Sequence, residues 1–317
     1  MVTLKDIARE AGVSVMTVSR VVNGNFAKVS EENIKKIQAI IEEKRYVPNS
    51  TARSLSSKSS HIISLIVRGR GNELINPYNA AMVGEIVPRI QERGYFLMLH
   101  FIDQYDDITQ RLRAWNAEGS IFVGTFDEDI EKIIRDNRIP LVFTDSYSHI
   151  RQITNVGIDD YKGGALAAQC LLDNGHKNFA FVGWSLVSSV IRTRLKGFRD
   201  TLKKAGFYLD PSHILEVKES MEDVVDALCQ FKEGHTAIFT SADLLAVSLM
   251  DHLKKRNRTA PQDYSIIGFD DQGLSKKAQV ATDLLFRHIQ DPTAPAENVT
   301  LDVNLINRES VSCLIKG

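Results

Sequence analysis

A change of hydrophobic period near residue 60 limits this chain more than any other feature. From Ile62 onward, short apolar runs alternate with amphipathic stretches of helical spacing. The runs fall at 62–67, 95–101, 120–126, 140–144, 178–183, 236–240 and 264–269, and each predicts a strand. Between them, helices are expected near 79–93, 107–117, 128–137, 161–174, 188–205, 221–232 and 243–256. Near-continuous apolar strands alternating with helices point to parallel sheets covered on both faces, an α/β fold. Two such sheets are expected, because the chain of 317 residues exceeds one core and the polar stretch 145–160 breaks the rhythm.

Before residue 46 every apolar repeat is helical. Thr3 with Asp6 forms an N-cap pair for a first helix carrying Leu4, Ile7, Ala8 and Ala11 on one face, and Gly12 ends it. Ser14 caps a second helix, 15–23, with Val18, Val21 and Val22 inward and Asn23-Gly24 as its stop. Ser30 opens a third, to about Lys44, with Ile34, Ile37, Ile40 and Ile41 as its stripe. Residues 47–60 are too polar to hold a helix alone and read as a linker.

The net charge of −1 argues against nucleic acid as a partner until it is divided. Residues 1–60 carry ten Lys/Arg against six Asp/Glu, a surplus of +4, whereas the rest is −5. A basic head on an acidic body suits a polyanion-binding module fused to something else. No apolar run reaches the roughly 18 residues of a membrane span, and the N-terminus lacks a signal-peptide pattern, so a cytoplasmic protein without membrane contact is expected. Cys170, Cys229 and Cys313 have no ligand-like spacing and read as small core residues in a reducing compartment.

Ala8, Gly12 and Val18 sit where two helices cross closely, as in a helix-turn-helix. The second helix then exposes Ser14, Val15, Met16, Thr17, Ser19, Arg20 and Asn23. Hydroxyls and a guanidinium can reach phosphates or base edges, and Val15 and Met16 can meet thymine methyls. A protein-interaction module with a solvated outer face is the alternative. Enzyme motifs are absent: there is no Gly-x-Ser-x-Gly, Gly-x-x-x-x-Gly-Lys, His-Glu-x-x-His or Cys-x-x-Cys. No enzymatic activity and no cofactor or metal is expected, and Asp270-Asp271 lacks a third ligand at coordinating distance in sequence.

The string Thr3-Leu4-Lys5-Asp6-Ile7-Ala8 through Gly12-Val13-Ser14, then Thr17-Val18-Ser19-Arg20-Val21-Val22-Asn23-Gly24, resembles the headpiece of the lac repressor (lactose/galactose repressor) family of bacterial transcriptional regulators. Tyr46-Val47-Pro48-Asn49 with Ala52-Arg53-Ser54-Leu55 is similar to that family's hinge helix. Asn76-Pro77-Tyr78, Gly175-His176, Arg194-Leu195-Lys196-Gly197-Phe198 and Gly268-Phe269-Asp270-Asp271 extend the resemblance over nearly the whole chain.

The resemblance implies a helix-turn-helix headpiece at 1–46 and a hinge at 47–60. It also implies a periplasmic-binding-protein-like body at 61–317 with two subdomains, about 61–158 with 276–292 and 159–275 with 293–317. It implies a homodimeric repressor on a near-palindromic double-stranded operator, controlled by a small-molecule effector, expected to be a sugar or sugar derivative. Val15 and Met16 would choose bases, and Leu55 would wedge into the minor groove, unless it is an ordinary linker residue. Thr3, Asn49, Ala52 and Arg53 complete the DNA-facing set, Arg53 as a phosphate contact.

For the body, ligands of parallel sheets sit at the carboxyl ends of strands. Asp145, Trp184, Asp243 and Asp270 lie at such ends, and Tyr78 begins a helix beyond the first strand. The resemblance implies effector binding through Arg194 and Asp270 with Tyr78 or Trp184 as an aromatic platform. Asp145 and Asp243 could instead be caps, and Trp184 packing. A solute-binding protein and a sugar enzyme with an accessory helical domain are the rival readings, opposed by the basic head and by the missing catalytic motifs.

Two departures stand out. Ala242 replaces the family's usual Asn before Asp243. After Asp271 the family has a Leu-Thr-Thr strand and a crossover, whereas here Gln272 to Lys277 runs directly into a helix at 278–290, with Val299 to Ile306 as the terminal strand. One strand and one crossover are therefore expected to be missing. Either residues are omitted, which is expected, or the protein tolerates a shortened sheet; an intact mass compared with the gene-encoded mass separates the two, and a matching mass refutes the omission.

Overall fold

The computed structural model describes residues 2–47, 59–69, 71–102, 104–124, 126–147, 152–231, 237–269 and 273–314. The chain divides into two compact units, Met1–Ser60 and His61–Gly317.

The first unit holds three helices: α1 (Leu4–Ala11), α2 (Val15–Val22) and α3 (Glu31–Glu43). Each start is capped as the sequence predicts. Thr3 accepts from the Asp6 amide while Asp6 accepts from the Thr3 amide, a reciprocal box, and Ser14 and Ser30 cap α2 and α3. Gly12 turns the chain at φ 72°, a conformation that suits glycine. Ile7, Ala8, Ala11, Val18, Val21, Ile37 and Ile40 form the core, with Ile34 and Ile41 only half-buried at its rim.

The second unit contains two parallel sheets. The first has the order β10-β5-β4-β3-β1-β2, from β1 (Ile62–Arg68), β2 (Phe96–Ile102), β3 (Gly119–Val123), β4 (Leu141–Thr144), β5 (Asn155–Ile158) and β10 (Asn298–Leu301). Around it lie α4 (Pro77–Glu92), α5 (Tyr105–Ala114), α6 (Ile130–Asp136) and α11 (Leu274–Gln290). The second sheet has the order β7-β6-β8-β9, from β6 (Phe179–Gly183), β7 (Ile214–Glu216), β8 (Ala237–Thr240) and β9 (Ser265–Ile267). It is covered by α7 (Asp160–Asp173), α8 (Ser189–Lys204), α9 (Met221–Gln230) and α10 (Asp243–Lys255).

Several sequence expectations need correction. The polar stretch 145–160 contains β5, whose Asn155 is buried and hydrogen-bonded to Asn298 and to the Ser146 amide, so its polarity hides a strand. The three-residue β7 was too short to register. The terminal strand is four residues long and pairs with β5, placing 298–301 in the first lobe, whereas the resemblance implies 293–317 in the second. Only the following tail returns: Ser310 accepts from the Ile266 amide at 2.9 Å and the Ser312 amide donates to Ser265 Oγ at 2.9 Å. No crossover is lost, because the chain passes between the lobes after β5, after β9 and after β10. Among the described residues the second sheet does stop at four strands. Cys229 and Cys313 are exposed, against the expected core placement, and Cys170 is half-buried.

The helix pair α7–α8 sets the geometry of the second lobe. Gly164 and Gly197 bring the two backbones together, since a Cβ at Gly164 would lie 2.0 Å from the Arg194 carbonyl oxygen and one at Gly197 would lie 2.0 Å from that of Tyr161. Neither oxygen can swing away as a flexible side chain could. Gly164→Ala is expected to force the helices apart at about 1–3 kcal/mol or more. A thermal melt should then fall by roughly 2–4 °C for each kcal/mol lost.

Candidate functional site

In the first unit, the first turn of α2 is bare. Val15 is 41% exposed and Met16 66%, although both are apolar. Ser14 Oγ accepts from the Thr17 amide at 3.1 Å and lies 2.8 Å from Thr17 Oγ1, so both hydroxyls are engaged at the cap. Arg20 is half-buried, with Nη2 3.8 Å from Met16 Sδ, and Asn23 donates to Ser19 Oγ at 3.4 Å. Thr3 sits at the N-terminus of α1, its hydroxyl on Asp6 Oδ2 at 2.7 Å. The arrangement is an uncovered helix end with two apolar tips, a flanking guanidinium and hydroxyls held in place by caps. Asn49, Ala52, Arg53 and Leu55 lie outside the described residues.

In the second unit, two buried charge clusters face the space between the lobes. In the first lobe, Asp145 follows β4 at φ 56°, a left-handed position that Asp tolerates better than most residues. Its carboxylate takes the Tyr78 hydroxyl at 2.5 Å and the Lys277 ammonium at 2.8 and 2.7 Å, and Lys277 also donates to Tyr78 Oη at 3.1 Å. All three ammonium protons therefore have acceptors. In the second lobe, Arg194 donates through Nε to Asp160 at 2.8 Å and through Nη1 to the Ser241 carbonyl at 2.6 Å, with its guanidinium 3.7 Å from the Phe269 ring centroid. Between the clusters, Asp127 of the first lobe accepts the Tyr147 amide at 2.6 Å and the Ser189 hydroxyl at the start of α8, a direct bond between lobes.

Burial governs the titration here. It pushes the Asp160 carboxyl up to about 6, with Arg194 opposing, and pushes the Tyr147 phenol up with help from Asp160, Asp145 and Asp127.

Tyr78, Asp145 and Arg194 are thus placed around one interlobe space, the first two in direct contact. Trp184 is 43% exposed just after β6, not packed inside, and Asp243 opens α10 with its carboxylate against the Gly268 backbone. Asp270 lies outside the described residues. Sequence reasoning missed Lys277, Asp160, Asp127, Tyr147 and Ser189. The signal for Lys277 was its position in the apolar stripe Leu274, Ala278, Ala281 and Leu285, where a lysine must find an anion. The helix α11 begins four residues before the expected 278, which puts Lys277 on its inward face.

Comparison with known proteins agrees with this architecture. Residues 3–49 match the profile of bacterial regulatory proteins of the lacI family, and residues 60–301 match that of periplasmic binding proteins and the sugar binding domain of the LacI family. The chain belongs to the lacI family of bacterial regulatory proteins. Among relatives of this regulator, catabolite control protein A of Priestia megaterium is 31% identical, over 99% of this chain and 95% of its own. The ribose operon repressor of Haemophilus influenzae is 29% identical over 339 aligned positions, covering 99% of this chain and 100% of the relative. That alignment is longer than the 317 residues of this chain, so the relative has positions without a counterpart here. A lac repressor dimer bound to operator and the anti-inducer ONPF superposes with a TM-score of 0.86 over 98% of this chain and 99% of that one, at 24% identity.

Removing one partner of the buried pair leaves the other charge uncompensated. Arg194→Ala is therefore expected to destabilise the body by about 3–5 kcal/mol in urea titrations, beyond any loss of effector binding. For Asp160, a carboxyl raised from an ordinary value of 3.8 to about 6 contributes stability that is full below the lower value and lost as pH rises through the upper. Asp160→Asn should lack that slope in melts recorded between pH 4 and 7.5.

Proposed function

We propose that this chain is a sequence-specific transcriptional repressor whose operator affinity is set by a small molecule bound between the two lobes of its body. The observation that carries the DNA-binding part is the bare first turn of α2, with Val15 and Met16 exposed on a capped helix in a basic unit. Exposed apolar tips on a rigid helix cost stability unless something covers them, and the thymine methyl edge of a major groove is a suitable surface. Ser14, Thr17, Ser19, Arg20 and Asn23 would flank these tips, with Thr3 at the adjoining helix start, each on phosphate or base edge. A homodimer would place two such helices on the halves of a near-palindrome in the cytoplasm, with Asn49, Ala52 and Arg53 in the hinge and Leu55 as the minor-groove wedge.

The effector reading is supported by the grouping of Tyr78, Asp145 and Arg194 and by relatives solved with cellobiose and with ribose. Trp184, Asp243 and Asp270 would join from the second lobe. Lys277 adds a condition: a sugar hydroxyl reaching Asp145 must compete with an ammonium that already holds both oxygens. The Asp127–Ser189 bond ties the lobes, so a ligand that alters their relative orientation acts against it.

Binding-site selection followed by gel-shift titration across salt tests the conclusion. A near-palindromic site bound with an affinity that falls steeply with salt is expected, and a flat salt dependence overturns it. Met16→Ala should change the preferred bases, costing about 1–3 kcal/mol at the affected pair, while binding to random DNA stays within twofold. An unchanged preference would remove Met16 from the readout.

A further inference from the structure

Charge on the body is unevenly placed. Helix α8 carries six Lys/Arg against one Asp, whereas the rest of residues 61–317 carries 23 Lys/Arg against 33 Asp/Glu. The inner side of α8 is buried through Val190, Arg194, Gly197, Phe198 and Leu202. On its outer side Arg192, Lys196, Arg199 and Lys203 are all exposed. Steps of four, three and four residues keep these cations on one face, spread along about 16 Å of helix.

Helix stability does not account for this stripe. Cations favour a C-terminal turn, which suits Lys203, but Arg192 stands near the positive end of the helix dipole, and no acidic residue lies in that first turn. Like charges four residues apart also repel each other. Lys196 is balanced by Asp200 at 2.8 Å and lies 4.8 Å from the Tyr161 ring centroid, whereas Arg199 and Lys203 form no ion pair with a described residue. Arg192 is held in place by the loop before α8, donating to the Val187 carbonyl. Val187, 71% exposed, therefore sits at one end of the stripe, and Tyr208, 77% exposed, follows the other.

A row of cations between two apolar side chains, on a body of the opposite net charge, is complementary to an acidic protein surface. Duplex DNA fits it poorly. It bears a charge about every 1.7 Å of its axis, so a duplex laid along the stripe would run on over a body of its own sign.

We propose that the outer face of α8 is a docking surface for a partner protein that presents an acidic segment, held by Arg192, Lys196, Arg199 and Lys203. Mutual repulsion along the stripe is relieved when carboxylates cover it, and exclusion of water at Val187 and Tyr208 adds contact area at its ends.

The test uses the full chain and a fluorescein-labelled peptide of repeated Glu-Glu-Leu-Glu, followed by anisotropy. Saturable binding of one peptide per chain is expected, weakening as salt rises. Arg199→Glu with Lys203→Glu should weaken it about tenfold or more. Lys254→Glu with Lys255→Glu makes the same change of charge on α10 and should leave it within about twofold. Absence of saturable binding overturns the proposal. Equal weakening by the two pairs also overturns it, since net charge alone would then govern binding. A third overturning result is random duplex DNA binding more tightly than the peptide and losing affinity with the α8 pair, which would make the face a nucleic-acid surface. Should the α8 pair not melt cooperatively, Arg199→Gln with Lys203→Gln decides instead, with unchanged peptide affinity overturning the proposal. Operator gel shifts on the same variants are expected to match the unmodified chain, so the DNA-binding reading and this one fail separately.

Discussion

The second lobe depends on the approach of α7 and α8 through Gly164 and Gly197. With side chains at those positions the helices would stand further apart, and Arg194 on α8 would not reach Asp160 at the start of α7. Their pairing excludes water from both charges, which makes each dependent on the other and on the Ser241 carbonyl. Phe269, leaving β9, covers the guanidinium and also packs against Gly163 on α7. The local backbone contact thereby fixes how the ends of β8 and β9 meet the cleft.

Lys277 gives the first lobe a comparable centre. An ammonium with all its protons committed to Asp145 and Tyr78 ties α11 to α4 and to the end of β4. Because α11 follows β9 after a crossover, this contact also anchors the return of the chain to the first sheet. The cleft is consequently charge-paired within each lobe, and the Asp127–Ser189 bond joins one lobe to the other. A ligand entering it exchanges existing contacts for its own, which favours discrimination between ligands over raw affinity.

Much of the fold is legible in the sequence because local rules and global packing agree. The capped helices of the first unit follow from Thr3, Ser14 and Ser30, whose side chains satisfy amides that any helix start leaves open. Strands such as 62–68 and 179–183 show as apolar runs because both faces of a parallel sheet are covered. The strand 155–158 escaped because its Asn155 satisfies its amide through partners 9 and 143 residues away, information that no short window contains. Lys277 escaped for the same reason, its anion lying 132 residues earlier.

The sequence by itself determined the division at residue 60, the concentration of positive charge before it, the helix-turn-helix spacing and the succession of strands and helices after it. Each of these is set by period, capping chemistry or composition along a continuous stretch. Tertiary structure alone decided that Arg194 and Asp145 are already paired, and that the last strand returns to the first sheet before the tail covers β9. These depend on contacts between residues far apart in sequence, and burial makes such contacts selective, because a buried charge or amide must find whichever partner the packing brings within reach.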